Sequence, residues 1–193
     1  MCKPSPNRFV RLSPGIIIGD FDCDDSDLND FLYNDACDHL RQLLAVTYLL
    51  MDQDRIIAFF SVSNDSLISD PRLPGINKVW NRLTREIPNE KRRKSFPAVK
   101  LGRLGVIRSM QGKGLGTEII GWMKMSFVTQ NKTGCRFITV DAYNNPKALR
   151  FYENNEFQYF PVDDRKKDTR QMYYDLKPFH DRMIQTTASS QLG

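Results

Sequence analysis

The segment Leu104-Gly-Val-Ile-Arg-Ser-Met-Gln-Gly-Lys-Gly-Leu-Gly-Thr-Glu118 carries three closely spaced glycines of the kind that cradle an anion. An apolar run leads into a glycine-rich loop, and the loop leads into a helical pattern running from Thr117 to Thr129. Gly112, Gly114 and Gly116 can take backbone angles that crowd other residues, and their missing side chains let a ligand reach main-chain N–H groups. The helix behind the loop aims the positive end of its dipole and its unpaired donors at the same place. Such an arrangement binds a phosphate or pyrophosphate. Gln111, Gly112, Lys113, Gly114, Leu115, Gly116 and Thr117 are therefore candidate cofactor-binding residues, acting through the backbone.

Two familiar phosphate loops do not fit. A Walker A loop needs Gly-Lys-Ser/Thr, and Lys113 is followed by Gly114. A dinucleotide fingerprint needs Gly-x-Gly-x-x-Gly, and here the third glycine arrives one residue early. Asp141 stands near the end of the next expected strand, where a ribose-binding acid would sit, so a dehydrogenase remains a distant alternative. An ordinary strand-to-helix turn without a ligand also remains, although three glycines raise its entropic cost.

Thirty residues on, the chain reads Val140-Asp-Ala-Tyr-Asn-Asn-Pro-Lys-Ala-Leu-Arg-Phe-Tyr-Glu-Asn-Asn-Glu-Phe157. The two segments together resemble the GNAT family of N-acetyltransferases. The family loop has the form Gln/Arg-x-x-Gly-x-Gly/Ala, matched by Gln111-Gly-Lys-Gly-Leu-Gly116. Its second motif, Asn-x-x-Ala-x-x-x-Tyr-Glu, is matched by Asn145, Ala148, Tyr152 and Glu153. The chain departs from the family at Glu156, where a glycine usually precedes the closing Phe157. The strong part of the resemblance spans residues 98 to 160.

The resemblance implies an α/β GNAT fold, a mixed central sheet splayed at two parallel strands and flanked by helices. It implies acetyl-CoA as co-substrate, with its pyrophosphate on the glycine loop. The pantetheine arm would pair with the preceding strand, expected over Val99–Val106, and touch the backbone of Leu104, Gly105 and Val106. Asn145 would hydrogen-bond the pantetheine, and Tyr152 would stand near the thioester sulfur. A tyrosine packed beside Phe151 with its hydroxyl bonded to backbone is the structural alternative. As a general acid, Tyr152 has a phenol of reference pKa about 10, suited to returning a proton to a departing thiolate. A main-chain N–H near Val106 could polarise the thioester carbonyl.

A general base is harder to find. Many family members carry a glutamate on the strand before the loop, whereas Val99–Val106 contains Lys100 and Arg103 and no carboxylate. A peptide α-amine, of pKa about 7.7–8.0, is roughly a tenth neutral at pH 7, and a lysine amine, of pKa about 10.4, only about one part in two thousand. A site without a base suits an α-amine better than an unassisted lysine.

The elements that position these residues follow from patterning. Ile16–Ile18 is expected as a first strand. Asp25 opens a helix bearing Leu28, Phe31 and Leu32. Leu43–Met51 and Ile56–Val62 read as a hairpin. Residues 70–97 form a proline-punctuated insertion with a short helix at Ile76–Arg85 and the basic run Lys91-Arg-Arg-Lys94, the expected place for substrate contacts. Cys135–Val140 reads as a strand, Pro146–Asn154 as a helix and Arg170–Leu176 as a late strand. A single domain is expected over residues 1–180, with a flexible tail over 181–193 that frays from Thr186 onward.

This layout is similar to a GNAT branch that includes tRNA-acetylating toxins, whose members block the α-amine of aminoacyl-tRNA. It makes tRNA, an antitoxin and a second copy of the chain candidate partners beside the amine acceptor. The opposing functional class is a GNAT-like module that binds CoA or a partner and transfers nothing.

Composition sets outer bounds. The chain has 193 residues, 40% hydrophobic and 26% charged, with a net charge of +5 that permits a polyanionic partner without requiring one. No apolar run approaches a membrane span and no apolar signal core is read, so a cytoplasmic protein is expected. The acidic cluster Asp22, Asp24, Asp25 and Asp27 lacks the glycine and bidentate glutamate of a calcium loop. The four cysteines and two histidines have no zinc spacing, and no metal is expected.

Overall fold

The structure is a computed structural model that describes residues 9–85, 94–131 and 134–190, with residues 187–190 as backbone only. Seven strands form one mixed sheet in the order β1-β2-β3-β4-β5-β7-β6, with β4 and β5 its parallel pair. They are β1 (Phe9–Arg11), β2 (Val46–Asp52), β3 (Arg55–Ile68), β4 (Ser95–Val106), β5 (Phe137–Tyr143), β6 (Gln158–Tyr159) and β7 (Thr169–Asp175). The helices are α1 (Ser26–Asp30), α2 (Ala36–Arg41), α3 (Ile76–Leu83), α4 (Leu115–Thr129), α5 (Pro146–Asn154) and α6 (Leu176–Ser190). The chain divides into two compact units, Met1–Asn64 with Leu101–Ser126, and Asp65–Lys100 with Phe127–Gly193.

In the first unit β2 and β3 make the expected antiparallel hairpin, with Gln53 at φ +53° in its turn. Adjacent residues of a strand face opposite ways, and Phe59 and Phe60 use this to build two aromatic layers. Phe60 packs with Tyr48 at 5.1 Å between ring centroids and with Trp122 of α4 at 5.7 Å. Phe59 meets Phe21 at 5.5 Å and Phe31 at 6.2 Å. Phe31 comes from a π-helical turn, Phe31–Asp35, that joins α1 to α2. Asp25 caps α1 as expected, its side chain accepting from the Leu28 N–H at 3.1 Å.

The first strand is a correction. Phe9–Arg11 takes the edge of β2, in the register Arg11↔Tyr48, and Ile16–Ile18 lies in no strand. A turn from Ser13 to Ile16, with Gly15 at φ +103°, leaves Ile17 90% exposed. An isoleucine run becomes a strand only where an edge is free, and the preceding residues already fill this one.

In the second unit the insertion contributes core. Ile76, Trp80 and Leu83 of α3 bury against Leu67, Phe96, Ala98, Phe137, Phe160 and Tyr173. Lys94 is exposed, while the remainder of the basic run, 91–93, lies outside the described residues. β5 and β7 pair from Phe137↔Asp175 to Tyr143↔Thr169. Arg136 closes one end of this ladder by a two-pronged bond to Asp175, at 3.2 and 3.0 Å, with its guanidinium over the rings of Phe96 and Phe137. α6 remains helical to Ser190, beyond Thr186 where fraying is expected.

β4 begins at Ser95, earlier than the expected Val99, and its Gly105 marks a close approach. A Cβ there would stand 2.5 Å from Cε1 of Phe59. Gly105→Ala should therefore lose about 1–3 kcal/mol, the usual cost of overpacking. Denaturant unfolding would measure the loss, and an unchanged midpoint would mean that the Phe59 ring swings aside freely.

Candidate functional site

The sequence places its site residues on both units. Leu104–Val106 and Gln111–Thr117 belong to the first, Asn145 and Tyr152 to the second.

The loop between β4 and α4 is tied down by side chains and backbone of the segment before α1. The Arg108 N–H donates to the Asp22 carbonyl at 2.9 Å. The Gln111 carboxamide donates from Nε2 to the carbonyls of Cys23, at 2.8 Å, and of Val106, at 3.1 Å. Gln111 thus holds the loop through its side chain. Gly112 and Gly114 follow at φ +72° and +84°, left-handed values that favour glycine, and a Cβ on either would meet nothing within 4 Å. They are needed for conformation, and the space in front of them is open. Gly116 differs from the expectation: it lies in the first turn of α4, which starts at Leu115. The early N–H groups of an α-helix have no intrahelical partner, so the loop and α4 offer donors to an anion.

Immediately after β4 the Ile107 N–H donates to the Ile57 carbonyl at 3.0 Å. Strand alternation then turns the backbone groups of Leu104 and Val106 to the edge away from β3, the direction from which an extended arm could pair with them. A groove of about 580 Å³ lies on this unit, lined by Asp20, Phe21, Asp22, Tyr33, Arg55, Ile107, Arg108 and Ser109.

In the second unit Asn145 is the N-cap of α5, its Oδ1 accepting from the Ala148 N–H at 2.9 Å, with Pro146 in the first turn. The cap uses one lone pair of the oxygen, which leaves the second lone pair and the Nδ2 donors for a ligand contact. The far end of α5 closes with the Phe157 N–H on the Tyr152 carbonyl at 3.0 Å and the Glu156 N–H on the Glu153 carbonyl at 2.9 Å. This is a Schellman closure, which wants a left-handed residue just past the helix. Glu156 occupies that position at φ +67°, where the family carries glycine.

The closure brings the Phe157 ring to 5.4 Å from Tyr152, and the Phe151 ring stands at 5.0 Å. Tyr152 is buried, and burial pushes its phenol well above the usual tyrosine range, the nearby Tyr143 adding to the shift. Its hydroxyl makes no hydrogen bond to another described residue.

Asp141, the candidate ribose acid, instead forms an ion pair with Lys100. Thr139 donates to the Asp65 carboxylate. Neither pairing was visible in sequence, since both join residues about 40 or more positions apart. Among the described residues no group of three or more His, Cys, Asp or Glu could hold a metal ion, and no helix is long and apolar enough to cross a membrane.

A family model described as the acetyltransferase (GNAT) family matches residues 20–157. The chain belongs to the GNAT family. Solved structures agree in fold. AtaT, complexed with acetyl-methionyl-tRNAfMet, is 20% identical at a TM-score of 0.71 over 91% of this chain and 99% of its own. A Tyr-to-Phe variant of KacT is 21% identical at 0.67, over 90% and 98%. AtaTR bound with AcCoA is 21% identical at 0.64, over 89% and 96%. At such identities the likeness is one of fold.

Glu156→Gly removes the strain of a left-handed side chain and should raise stability by up to about 1 kcal/mol. Thermal or denaturant unfolding would register the gain, and a loss would show that the Glu156 side chain makes a contact outweighing the strain.

Proposed function

We propose that this GNAT protein is an acetyl-CoA-dependent N-acetyltransferase that transfers acetyl to a primary amine by direct attack, with the α-amine of aminoacyl-tRNA as acceptor. The observation that carries the reading is the state of Tyr152: a buried phenol that hydrogen-bonds no other described residue, its pKa raised by that burial, on the helix that holds the family motif. Acetyl-CoA would supply an activated thioester and a thiolate leaving group. The loop donors around Gly112 and Gly114 would hold its pyrophosphate, and the backbone of Leu104–Val106 its arm. The Tyr152 hydroxyl would donate its proton toward the sulfur. A raised phenol stays protonated across the working range, so it remains a donor wherever the amine is free to attack.

Three features support the acceptor. AtaT is a structural neighbour solved with an acetylated aminoacyl-tRNA. Val99–Val106 offers no carboxylate to deprotonate a lysine, whereas an α-amine is already partly neutral near pH 7. Arg165, Lys166 and Lys167 are exposed on a loop fixed by Asn144, whose Nδ2 donates to the Arg165 and Lys167 carbonyls at 2.9 and 2.8 Å. Cations held in place can neutralise RNA phosphates. Such an acceptor sets the protein in the cytoplasm, and the antitoxin-bound AtaT structures make an antitoxin a candidate partner.

The test is release of CoA thiol from acetyl-CoA with small amines, peptides and charged tRNA in parallel. Turnover on charged tRNA is expected, and turnover confined to peptides or metabolites would replace the acceptor while leaving the transferase. No turnover on any amine would favour a binding module. Tyr152→Phe should keep CoA binding and slow single-turnover transfer by about 10²–10⁴-fold; transfer at the parent rate, with chemistry limiting, would remove the acid role. Gly114→Val should weaken CoA binding in calorimetry while the protein stays folded, because a β-branched residue resists the left-handed conformation. Unchanged affinity would take the loop out of the site.

A further inference from the structure

Arg103 lies on β4 immediately before the backbone assigned to the pantetheine arm. Its guanidinium sits over the Phe31 ring at 5.2 Å from the centroid, held there by cation–π attraction. Of its five N–H donors, one bonds the carbonyl of Gly102 from Nη1 at 3.0 Å. Nε is buried without a hydrogen-bond partner among the described residues. Among the described residues the carboxylate beside it is Asp27 of α1, with Oδ2 3.7 Å from Nε, too long for a hydrogen bond. The Arg103 side chain is 40% exposed and that of Asp27 64% exposed.

The guanidinium sits over an aromatic ring and spends one Nη1 hydrogen on Gly102, and its Nε is closed to solvent although the side chain is 40% exposed, so an oxyanion would be met from the Nη side. Structural arginines in this same protein look different: Arg136 spends its fork on Asp175 at 3.2 and 3.0 Å. Planar, two-pronged recognition of phosphate is the chemistry to which guanidinium is best suited.

We infer that Arg103 is an acceptor-binding residue that takes a backbone phosphate near the 3′ end of the acceptor RNA, and that Asp27 competes with that phosphate for it. The inference rests on the tRNA reading above. It explains why the strand that carries a carboxylate in many GNAT proteins carries a cation here: the position serves to hold the acceptor, and the amine needs no base. Asp27 is exposed and in the first turn of α1, so its removal costs the fold little.

The two residues therefore predict opposite signs. Initial rates would be measured with charged tRNA and with an amino-acid methyl ester, for the parent, Arg103→Gln, Arg103→Lys and Asp27→Asn, with folding checked by circular dichroism. Arg103→Gln should lower the ratio of kcat/KM for tRNA to that for the ester by about 10–100-fold, the loss of one charge-assisted hydrogen-bonded contact. It should also reduce the slope of log KM against log salt by about 0.7, one phosphate on a single strand. Arg103→Lys, which keeps the charge and loses the fork, should fall between. Asp27→Asn should lower KM for tRNA by about 2–5-fold, the range of an exposed pair. If the parent acetylates charged tRNA but Arg103→Gln leaves the ratio and the salt slope unchanged, or Asp27→Asn raises KM, this inference is overturned and the tRNA reading stands. If the parent uses the ester and no charged tRNA, both fall. Should Arg103→Gln not fold, Arg103→Lys and Asp27→Asn decide the matter by the same two readouts.

Discussion

The Gln111 carboxamide is the fixed point of the loop. By donating to both Val106 and Cys23 it joins the end of β4 to the segment before α1, and the Arg108 N–H on Asp22 adds a second tie. Everything between is then constrained. Gly112 and Gly114 must turn left-handed to bring the chain into α4 within so few residues, and the early N–H groups of α4 face the mouth of the turn as a result. An anion site made of backbone donors is only as good as its stiffness, because a loop that must be ordered on binding loses conformational entropy then. Two side-chain bonds to main-chain carbonyls add to that stiffness, and the Gln111 N–H is itself spent on the Arg108 carbonyl at 3.3 Å.

The second unit applies the same economy to one side chain. Asn145 begins α5 and the Schellman closure ends it, so Tyr152 is set by both caps of a nine-residue helix. Phe151 and Phe157 grip its ring and leave the hydroxyl alone. Burial raises the phenol, which in this chemistry is an advantage for holding the proton and a handicap for giving it up. In the proposed transfer the balance would be restored when negative charge developed beside it, on a departing thiolate. A donor that acts in response to developing charge stabilises the transition state more than the ground state.

Much of this was legible in the sequence because it is local. α5 was expected at the bounds it has, since Asn145, Pro146 and the apolar spacing that follows are all signals within one helix. The loop, the hairpin and the Asp25 cap were legible for the same reason. What was hidden depends on residues distant in sequence. Ile16–Ile18 has the composition of a strand, but Phe9–Arg11 already holds the β2 edge. Gly105 reads as a ligand contact, and its closeness to Phe59 appears only when β3 lies beside β4. Arg103 reads as a stray cation until Phe31 comes beneath it. Glu156 reads as a departure from the family, and the helix still closes as though a glycine were there.

The account stands on the claim that backbone amides of β4 and the glycine loop receive acetyl-CoA. Titration of the ¹⁵N-labelled protein with acetyl-CoA, followed residue by residue in amide chemical shift, tests that claim most directly. The account predicts the largest shifts at Leu104, Val106 and Gly112–Thr117, with Tyr152 and its neighbours on α5 responding at the same ligand concentration. Shifts confined to the groove around Asp20, Tyr33 and Arg55, with the loop amides unmoved, would contradict it.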